Sequence, residues 1–171
     1  MTPDDPSRAQ FRALALPLLS YLHRLALALT GDKPRAEDLV QETYVRALTY
    51  FPSYQGGDFK AWMAAIMRNL HFTSRTRSPP MEDEEHLAQL PDGAPDPEQA
   101  AIVSDRARRL RALIADLPEG LRETLILRDF GDLSYAQIAE TLAVPTGTVM
   151  SRLARARERL RRAWISDGQL T

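Results

Sequence analysis

The sequence contains no cysteine and only three histidines, His23, His71 and His86. The lack of cysteine excludes disulfide frameworks, thiolate zinc sites, iron–sulfur clusters and cysteine nucleophiles. The histidines are too scattered for the ligand spacing of a metal site. The acidic cluster Glu82–Glu85 lies among prolines and lacks the rigid surroundings that catalysis requires. We therefore expect no catalytic residue, no metal and no cofactor, and a protein that is not an enzyme.

Long apolar runs are also scarce. The longest, Ala13 to Leu29, is interrupted by Pro17, Ser20, His23 and Arg24, and we expect it to be too short and too polar to span a membrane. The first residues lack the basic segment and apolar core of a secretory signal. The sequence therefore predicts a cytoplasmic protein without membrane insertion.

No hairpin signal or alternating strand pattern occurs, whereas apolar residues recur at steps of three and four. This periodicity predicts an all-α fold, and 171 residues are enough for one compact domain or two small ones. We expect two small helical domains. An N-terminal helical bundle covers 1–78, and a C-terminal helix-turn-helix domain covers 98–171. A flexible acidic linker at 79–97 joins them.

The net charge of -1 conceals an acidic middle and a basic tail. The stretch from Ser78 to Glu98 contains seven acidic residues, five prolines and no Lys or Arg. So many prolines prevent a long helix, and the few apolar residues cannot support a core. The stretch is either a solvated spacer or an acidic mimic of nucleic acid inside a basic channel. Thr148 to Arg162, by contrast, contains six arginines and a single glutamate.

Three helices are predicted in the N-terminal unit. The first ends at Gly31 and is kinked at Pro17 or begins near it, the second is capped by Asp32, and the third by Asp58. Each has an apolar face at helical spacing. The predicted inward side chains are Phe11, Leu14, Ala15, Leu18, Leu19, Leu22, Leu25, Ala26, Leu29, Ala36, Leu39, Val40, Thr43, Ala47, Leu48, Phe51, Phe59, Trp62, Met63, Ile66 and Leu70.

Four helices are predicted after the linker. The first covers about 98–117, and the second begins at Pro118 and ends at Gly131. The Ser134-x-x-Gln137 pattern fits a capping box for a short third helix. A tight turn at 143–145 then leads to a long helix at about 146–164. A short helix, a tight turn and a longer basic helix are typical of a helix-turn-helix. The predicted inward side chains are Ile102, Ala107, Leu110, Leu113, Ile114, Leu121, Leu125, Ile126, Phe130, Val149, Leu153, Ala156, Leu160 and Ala163.

The last helix has a small polar ridge opposite its apolar stripe. At about 100° per residue, Ser151, Ala154, Arg155 and Glu158 share the outer face. Arginines flank this ridge on both sides. A helix in a DNA major groove has base edges below it and phosphates on both sides, so the pattern fits DNA binding. A merely soluble helix, or one that binds an acidic protein, is the alternative.

Taken in order, these segments resemble bacterial RNA polymerase sigma factors. The segment at 36–48, AEDLVQETYVRAL, resembles their core-binding segment, and FKAW at 59–62 with RNL at 68–70 resembles the −10 segment. LP at 117–118, LRDF at 127–130, LSYAQIA at 133–139 and VPTGTVMSRL at 144–153 resemble the −35-binding domain. The order, the spacing and the short acidic linker are similar to the minimal two-domain, extracytoplasmic-function (ECF) type.

The resemblance implies a role for particular residues. An acidic face on the second helix would bind a basic coiled coil of the largest polymerase subunit; its members are Glu37, Asp38, Gln41 and Glu42. The −10 element would meet the segment 53–58 and the third helix, through Arg68, Asn69, Arg75 and Arg77. The −35 element would meet Arg128, Ser134, Tyr135, Thr148, Ser151, Arg152, Arg155 and Arg159. Trp62 fits core packing better than DNA contact.

The resemblance also implies partners. These are the RNA polymerase core, through its β and β′ subunits, promoter DNA, and an anti-sigma factor. Two other functions remain open: a stand-alone helix-turn-helix regulator, and a sigma mimic that titrates an anti-sigma factor. The chain departs from the family pattern at Met150 and Ala154, which affects the −35 sequence preference. Ala143 stands where a turn glycine is frequent, so an alanine has to adopt the turn conformation.

Overall fold

A computed structural model describes residues 6–77 and 97–168. All regular structure in these two ranges is helical. Apart from Pro97, the predicted linker, with its acidic cluster and His86, lies outside them. The helices are α1 (Pro6–Ala15), α2 (Leu19–Thr30), α3 (Lys33–Tyr50), α4 (Phe59–Arg77), α5 (Pro97–Ala115), α6 (Glu119–Asp129), α7 (Tyr135–Leu142) and α8 (Thr146–Gly168).

Local signals set the helix ends of the N-terminal unit. A 3-10 turn, Leu16–Leu18, separates α1 from α2 at the predicted proline. Gly31 ends α2 in the left-handed conformation, with φ +71°. The Asp32 carboxylate caps α3 by accepting a hydrogen bond from the backbone N–H of Arg35 at 3.0 Å. The Asp58 carboxylate accepts one from Ala61 N–H at 3.0 Å at the start of α4. These predictions of helix ends are confirmed.

The N-terminal core forms where α2, α3 and α4 pack together. Leu22, Leu25, Met63 and Met67 are fully buried at its centre. At one end, aromatic rings meet edge to face, with Phe11 and Phe51 centroids 5.3 Å apart. Trp62 extends this cluster: its ring lies 5.4 Å from that of Phe59 and 5.0 Å from that of Tyr54. Trp62 therefore takes part in packing.

The C-terminal unit contains the predicted helix-turn-helix. Ser134 Oγ accepts from Gln137 N–H at 3.2 Å, while Gln137 Oε1 accepts from Ser134 N–H at 2.8 Å, so the capping box is complete. Ala143 adopts the left-handed conformation, with φ +51°. The buried stripe of α8 holds Val149, Leu153 and Ala156, and it packs on α6 and α7.

Some side chains predicted to be inward are exposed. They are Leu14, Leu19, Leu48, Leu110 and Phe130. Each lies at the margin of an apolar stripe or at a helix end, where a helix in a small bundle meets a neighbour on one narrow side only. Met67, Ala64 and Tyr21 are buried in addition. Ile102 lies outside the residues whose side chains are described.

The expectation about the apolar run near the N-terminus needs correction. By length and composition alone, the helical stretch Ser7–Thr30 could cross a membrane. The same stretch, however, contributes Leu22, Leu25 and Ala26 to the core of the bundle. A helix of a protein core can pass the same test of length and composition, and in this fold α2, the second half of the stretch, packs in the core against α3 and α4.

Candidate nucleic-acid interface

The acidic face of α3 points away from the bundle. Leu39, Val40 and Thr43 are buried on the inner side of the helix. The predicted polymerase-binding residues lie on its outer side, and all are exposed: Glu37, Asp38, Gln41 and Glu42. One ion pair tempers this charge, since Glu42 Oε1 lies 3.6 Å from Arg46 Nη2 one turn later. The outer side of α3 therefore presents three carboxylates and one amide to solvent.

Arg68 is the first arginine of the predicted −10 set, and a carboxylate already holds it. Its Nε donates to Glu123 of α6, in the other unit. Its guanidinium also lies 4.7 Å from the ring centre of Phe72, and its Nη1 donates to Asn69 Oδ1 at 3.2 Å. In this arrangement Arg68 is not available to a phosphate.

The other predicted −10 residues lie along α4 and the preceding loop. Asn69 is exposed one position after Arg68. Arg75 and Arg77 belong to α4, but their side chains are outside the described part of the chain. The loop at 53–58 contains two glycines in left-handed conformations, and Tyr54 Oη donates across it to Gly57 O at 2.7 Å. The loop is thus fixed against the start of α4.

Three residues of the predicted −35 set also stabilise the helix-turn-helix itself. Arg128 Nη1 donates to Leu133 O at 2.7 Å, and its guanidinium lies 5.4 Å from the ring centre of Tyr135. Ser134 is the cap of α7. Arg128, Ser134 and Tyr135 therefore meet where α6 turns into α7. Any DNA contact by these residues has to coexist with these bonds.

The outer face of α8 carries the rest of the −35 set. Arg155 is exposed, and its Nη2 donates to Ser151 Oγ at 3.3 Å. Ser151 Oγ in turn donates to Thr148 O at 3.0 Å. Arg159 is exposed one turn further along. Thr148, Ser151, Arg155 and Arg159 thus form one continuous surface.

Arg152 lies apart from this surface. Its guanidinium carbon is 3.4 Å from the position that a Cβ atom would take on Gly120 of α6. The side chain is only partly exposed. It therefore lies at the junction of α6 and α8, beside the ridge rather than on it.

Ion pairs organise the remaining arginines of α8. Arg157 Nη2 lies 3.2 Å from Asp129 Oδ1. Glu158 accepts hydrogen bonds from Arg161 and Arg162, and these bonds lower the pKa of Glu158 to about 2. Glu158 consequently stays ionised and neutralises part of the charge at the far end of the helix. The free positive charge is concentrated nearer its start.

A group of residues that could not be identified from the sequence joins the two units. Tyr21 Oη donates to Gly131 O at 2.7 Å, and Lys60 Nζ lies 2.8 Å from Asp132 Oδ2. Gln137 Nε2 donates to Asp58 Oδ2 at 2.7 Å. The only sequence signal was a single acid, Glu123, within an otherwise apolar face of α6.

These contacts affect the ionisable groups involved. Burial, and to a lesser extent the charges of Asp132 and Asp58, raises the pKa of Tyr21. The hydrogen bond from Ala61 N–H, followed by that from Gln137, lowers the pKa of Asp58. The bond from Lys60 lowers the pKa of Asp132. At neutral pH the carboxylates of Asp58 and Asp132 are therefore charged and the phenol of Tyr21 is neutral, as their contacts require.

Comparison with known proteins matches both units to one family. "Sigma-70 region 2" matches residues 14–78, and "Sigma-70, region 4" matches residues 107–160. The "RNA polymerase sigma-H factor" of Pseudomonas aeruginosa is 34% identical over 91% of this chain and 88% of its own length. The "ECF RNA polymerase sigma factor SigE" of Mycolicibacterium smegmatis is 37% identical over 82% of this chain, which spans 56% of that relative.

Solved structures show the same architecture. The sigma factor RpoE of Bartonella quintana, in complex with the anti-sigma factor NepR, matches 90% of this chain and 95% of its own, with a TM-score of 0.70 and 28% identity. CnrH, in complex with the cytosolic domain of CnrY, matches with a TM-score of 0.69 at 21% identity, which concerns the fold alone. This chain belongs to the ECF RNA polymerase sigma factors of the sigma-70 family.

Proposed function

We propose that the chain binds core RNA polymerase, through the β and β′ subunits, and directs initiation at promoters that it recognises at two elements. The N-terminal unit, at 1–78, binds the polymerase and the −10 element, and the C-terminal unit, at 98–171, binds the −35 element. The linker at 79–97 connects them. The protein supplies specificity in the cytoplasm and carries out no covalent chemistry itself.

The observation that carries this proposal is that the two helical units carry surfaces of opposite charge. The outer face of α3 is acidic and rigid, which suits a basic protein partner. The outer face of α8 is basic with a small polar ridge, which suits a major groove. A single chain that carries both surfaces can connect a protein machine to duplex DNA.

The residues with proposed −10 and −35 roles differ in their exposure and in the bonds that they already make. Asn69 lies exposed beside Arg68 on α4, where it can reach an unstacked base. Arg155 and Ser151 occupy the ridge of α8, and Arg159 can reach a phosphate further along the groove. Arg128, Ser134 and Tyr135 hold the helix-turn-helix in shape, and the backbone N–H groups at the start of α7 favour a phosphate.

An anti-sigma factor is the third partner we propose. The support is the similarity to the Bartonella quintana sigma factor, which is in complex with such a protein. The stand-alone regulator remains the second candidate, because α8 could bind DNA alone. That candidate leaves the acidic face of α3 without a role. It also predicts tight binding to duplex promoter DNA in the absence of polymerase.

Charge reversal at Asp38 tests the polymerase interface. We expect Asp38→Arg to weaken binding to purified bacterial core RNA polymerase by at least about tenfold, because like charges then face each other across the interface. Run-off transcription over a promoter library should fall in parallel. Asp116→Arg is the matched control, since Asp116 is an exposed acid in the other unit. Unchanged polymerase binding by Asp38→Arg contradicts the proposal.

A further inference from the structure

Among the described residues, four polar pairs join the two units. On the N-terminal side the pairs use α2, the cap of α4 and α4 itself. On the C-terminal side they use α6, the turn that follows it and the first turn of α7. The pairs are Tyr21 with Gly131, Asp58 with Gln137, Lys60 with Asp132, and Arg68 with Glu123.

The Arg68–Glu123 pair is the most enclosed ion pair in this interface. The side chain of Glu123 is 8% exposed and that of Arg68 is 23% exposed. A carboxylate so little exposed requires a partner, because an unpaired buried charge is strongly unfavourable. Glu123 therefore depends on Arg68 of the other unit for its partner. The Lys60–Asp132 pair lies at the edge, where the Asp132 side chain is 77% exposed, and it adds little by itself.

The same contacts occupy groups that the proposed function assigns to DNA. The side of the Arg68 guanidinium group that donates to Glu123 cannot donate to a phosphate at the same time. Asp58 closes the −10 loop and is bonded to Gln137 at the start of α7. The contact thus brings a −10 surface and the beginning of the −35 domain against each other. DNA that binds Arg68 through a phosphate therefore has to displace Glu123, whereas the outer face of α8 stays exposed.

We propose that Glu123, Asp132 and Gln137 form a latch that holds the C-terminal unit on the N-terminal unit and keeps Arg68 from DNA. The carboxylate of Glu123 takes the place of a DNA phosphate on Arg68. The latch rests on the proposed function, since it assumes that Arg68 binds DNA. Its bonds are polar and partly exposed, so a stronger anionic competitor can open it.

The test uses the full chain without partners. Ser20→Cys and Asp116→Cys place one dye on each unit at exposed positions, and the native sequence has no cysteine to interfere. Energy transfer between the dyes is compared with and without the double substitution Glu123→Gln, Asp132→Asn. Both changes preserve shape and remove charge, and circular dichroism verifies the helices. We expect transfer to fall in the double variant.

DNA binding is measured on the same proteins without dyes. The probe is a single-stranded oligothymidylate of about 16 nucleotides. We expect the double variant to bind it at least about threefold more tightly, because an exposed ion pair already gives an effect of about this size and the Arg68–Glu123 pair is more enclosed. An added Arg68→Ala change should abolish that gain. Asp105→Asn with Glu140→Gln is the matched control, since it changes the net charge equally outside the interface.

The outcomes separate the latch from the proposed function. Transfer that does not change in the double variant, or that is already minimal in the parent, overturns the latch and leaves the DNA assignment of Arg68 intact. Transfer that falls without a gain in affinity overturns the inhibitory role together with the assignment of Arg68 to DNA. A gain that the charge control reproduces also overturns the latch.

Discussion

Arg155 Nη2 donates to Ser151 Oγ at 3.3 Å, one turn earlier on the outer face of α8. The bond is exposed and long, so it restrains the guanidinium only weakly. The position of Arg155 over the ridge comes from the helix itself, since residue 155 follows residue 151 by one turn on the same face. In the proposed complex with a major groove, this position puts Arg155 over the base edges and the arginines at the sides of the helix near phosphates.

We predict that Arg155→Ala weakens binding to the −35 element by about 1–3 kcal/mol, the value for a bidentate base contact. Fluorescence anisotropy on a cognate duplex and on a scrambled one measures this effect. The loss should be larger on the cognate duplex, because only base contacts carry sequence information. Arg161→Ala, at a site paired with Glu158, should cost less and equally on both. Equal losses for Arg155→Ala on the two duplexes contradict base reading.

The turn between α7 and α8 gives a prediction about stability. Ala143 has φ +51°, a conformation in which a Cβ atom costs about 1 kcal/mol or more. We expect Ala143→Gly to raise the free energy of unfolding by about 1 kcal/mol in chemical denaturation. Gly31→Ala, at φ +71°, is the opposite change and should lower it by a similar amount. Loss of stability in Ala143→Gly would mean that the turn tolerates alanine without strain.

The cap of α3 gives a second prediction about stability. Asp32 Oδ2 accepts from Arg35 N–H at 3.0 Å and satisfies one of the free donors of the first turn. Asp32→Ala should lower the free energy of unfolding by about 1 kcal/mol, whereas Asp32→Asn should nearly preserve it. Thermal denaturation followed by circular dichroism distinguishes the two. Equal losses would assign the effect to charge instead of capping.

Local chemistry explains why the helices could be predicted from the sequence. Asp32, Asp58 and the Ser134–Gln137 capping box act within one turn of chain, so their signals are complete in the sequence. The left-handed conformation of Ala143 was expected from the resemblance, because a turn glycine is frequent at that position in the family. The exposure of Leu14 or Leu110 could not be predicted in the same way, because it depends on which helix packs beside them.

The candidate site, too, could be predicted only where local chemistry or helical periodicity determines it. The ridge of α8 follows from helical periodicity alone, and Ser151 and Arg155 lie on it as predicted. The pairing of Arg68 with Glu123 joins residues 55 positions apart, and no spacing rule connects them. Arg152 was expected beside the ridge, yet its contact with Gly120 depends on how α6 crosses α8. Contacts between units are thus the part that periodicity cannot supply.

The contact between Tyr21 and Gly131 leads us to predict how stability changes at alkaline pH. Tyr21 Oη donates to Gly131 O at 2.7 Å in a buried environment. Burial is the main cause that raises the pKa of this phenol, and the charges of Asp132 and Asp58 raise it further. A pKa that is higher in the folded than in the unfolded chain stabilises the fold below the unfolded value, about 10, and this contribution is lost as pH rises above it.

We therefore expect Tyr21 to remain protonated at a pH slightly above 10, where exposed tyrosines ionise. Tyrosinate absorbance of the parent and of Tyr21→Phe should coincide there, because the residue removed was not ionised. The parent should also lose unfolding free energy more steeply than the variant above about pH 10. An ordinary phenol titration for Tyr21 would show that its hydroxyl is in water. Since Gly131 lies in the other unit, that result would mean that the two units are separated in solution.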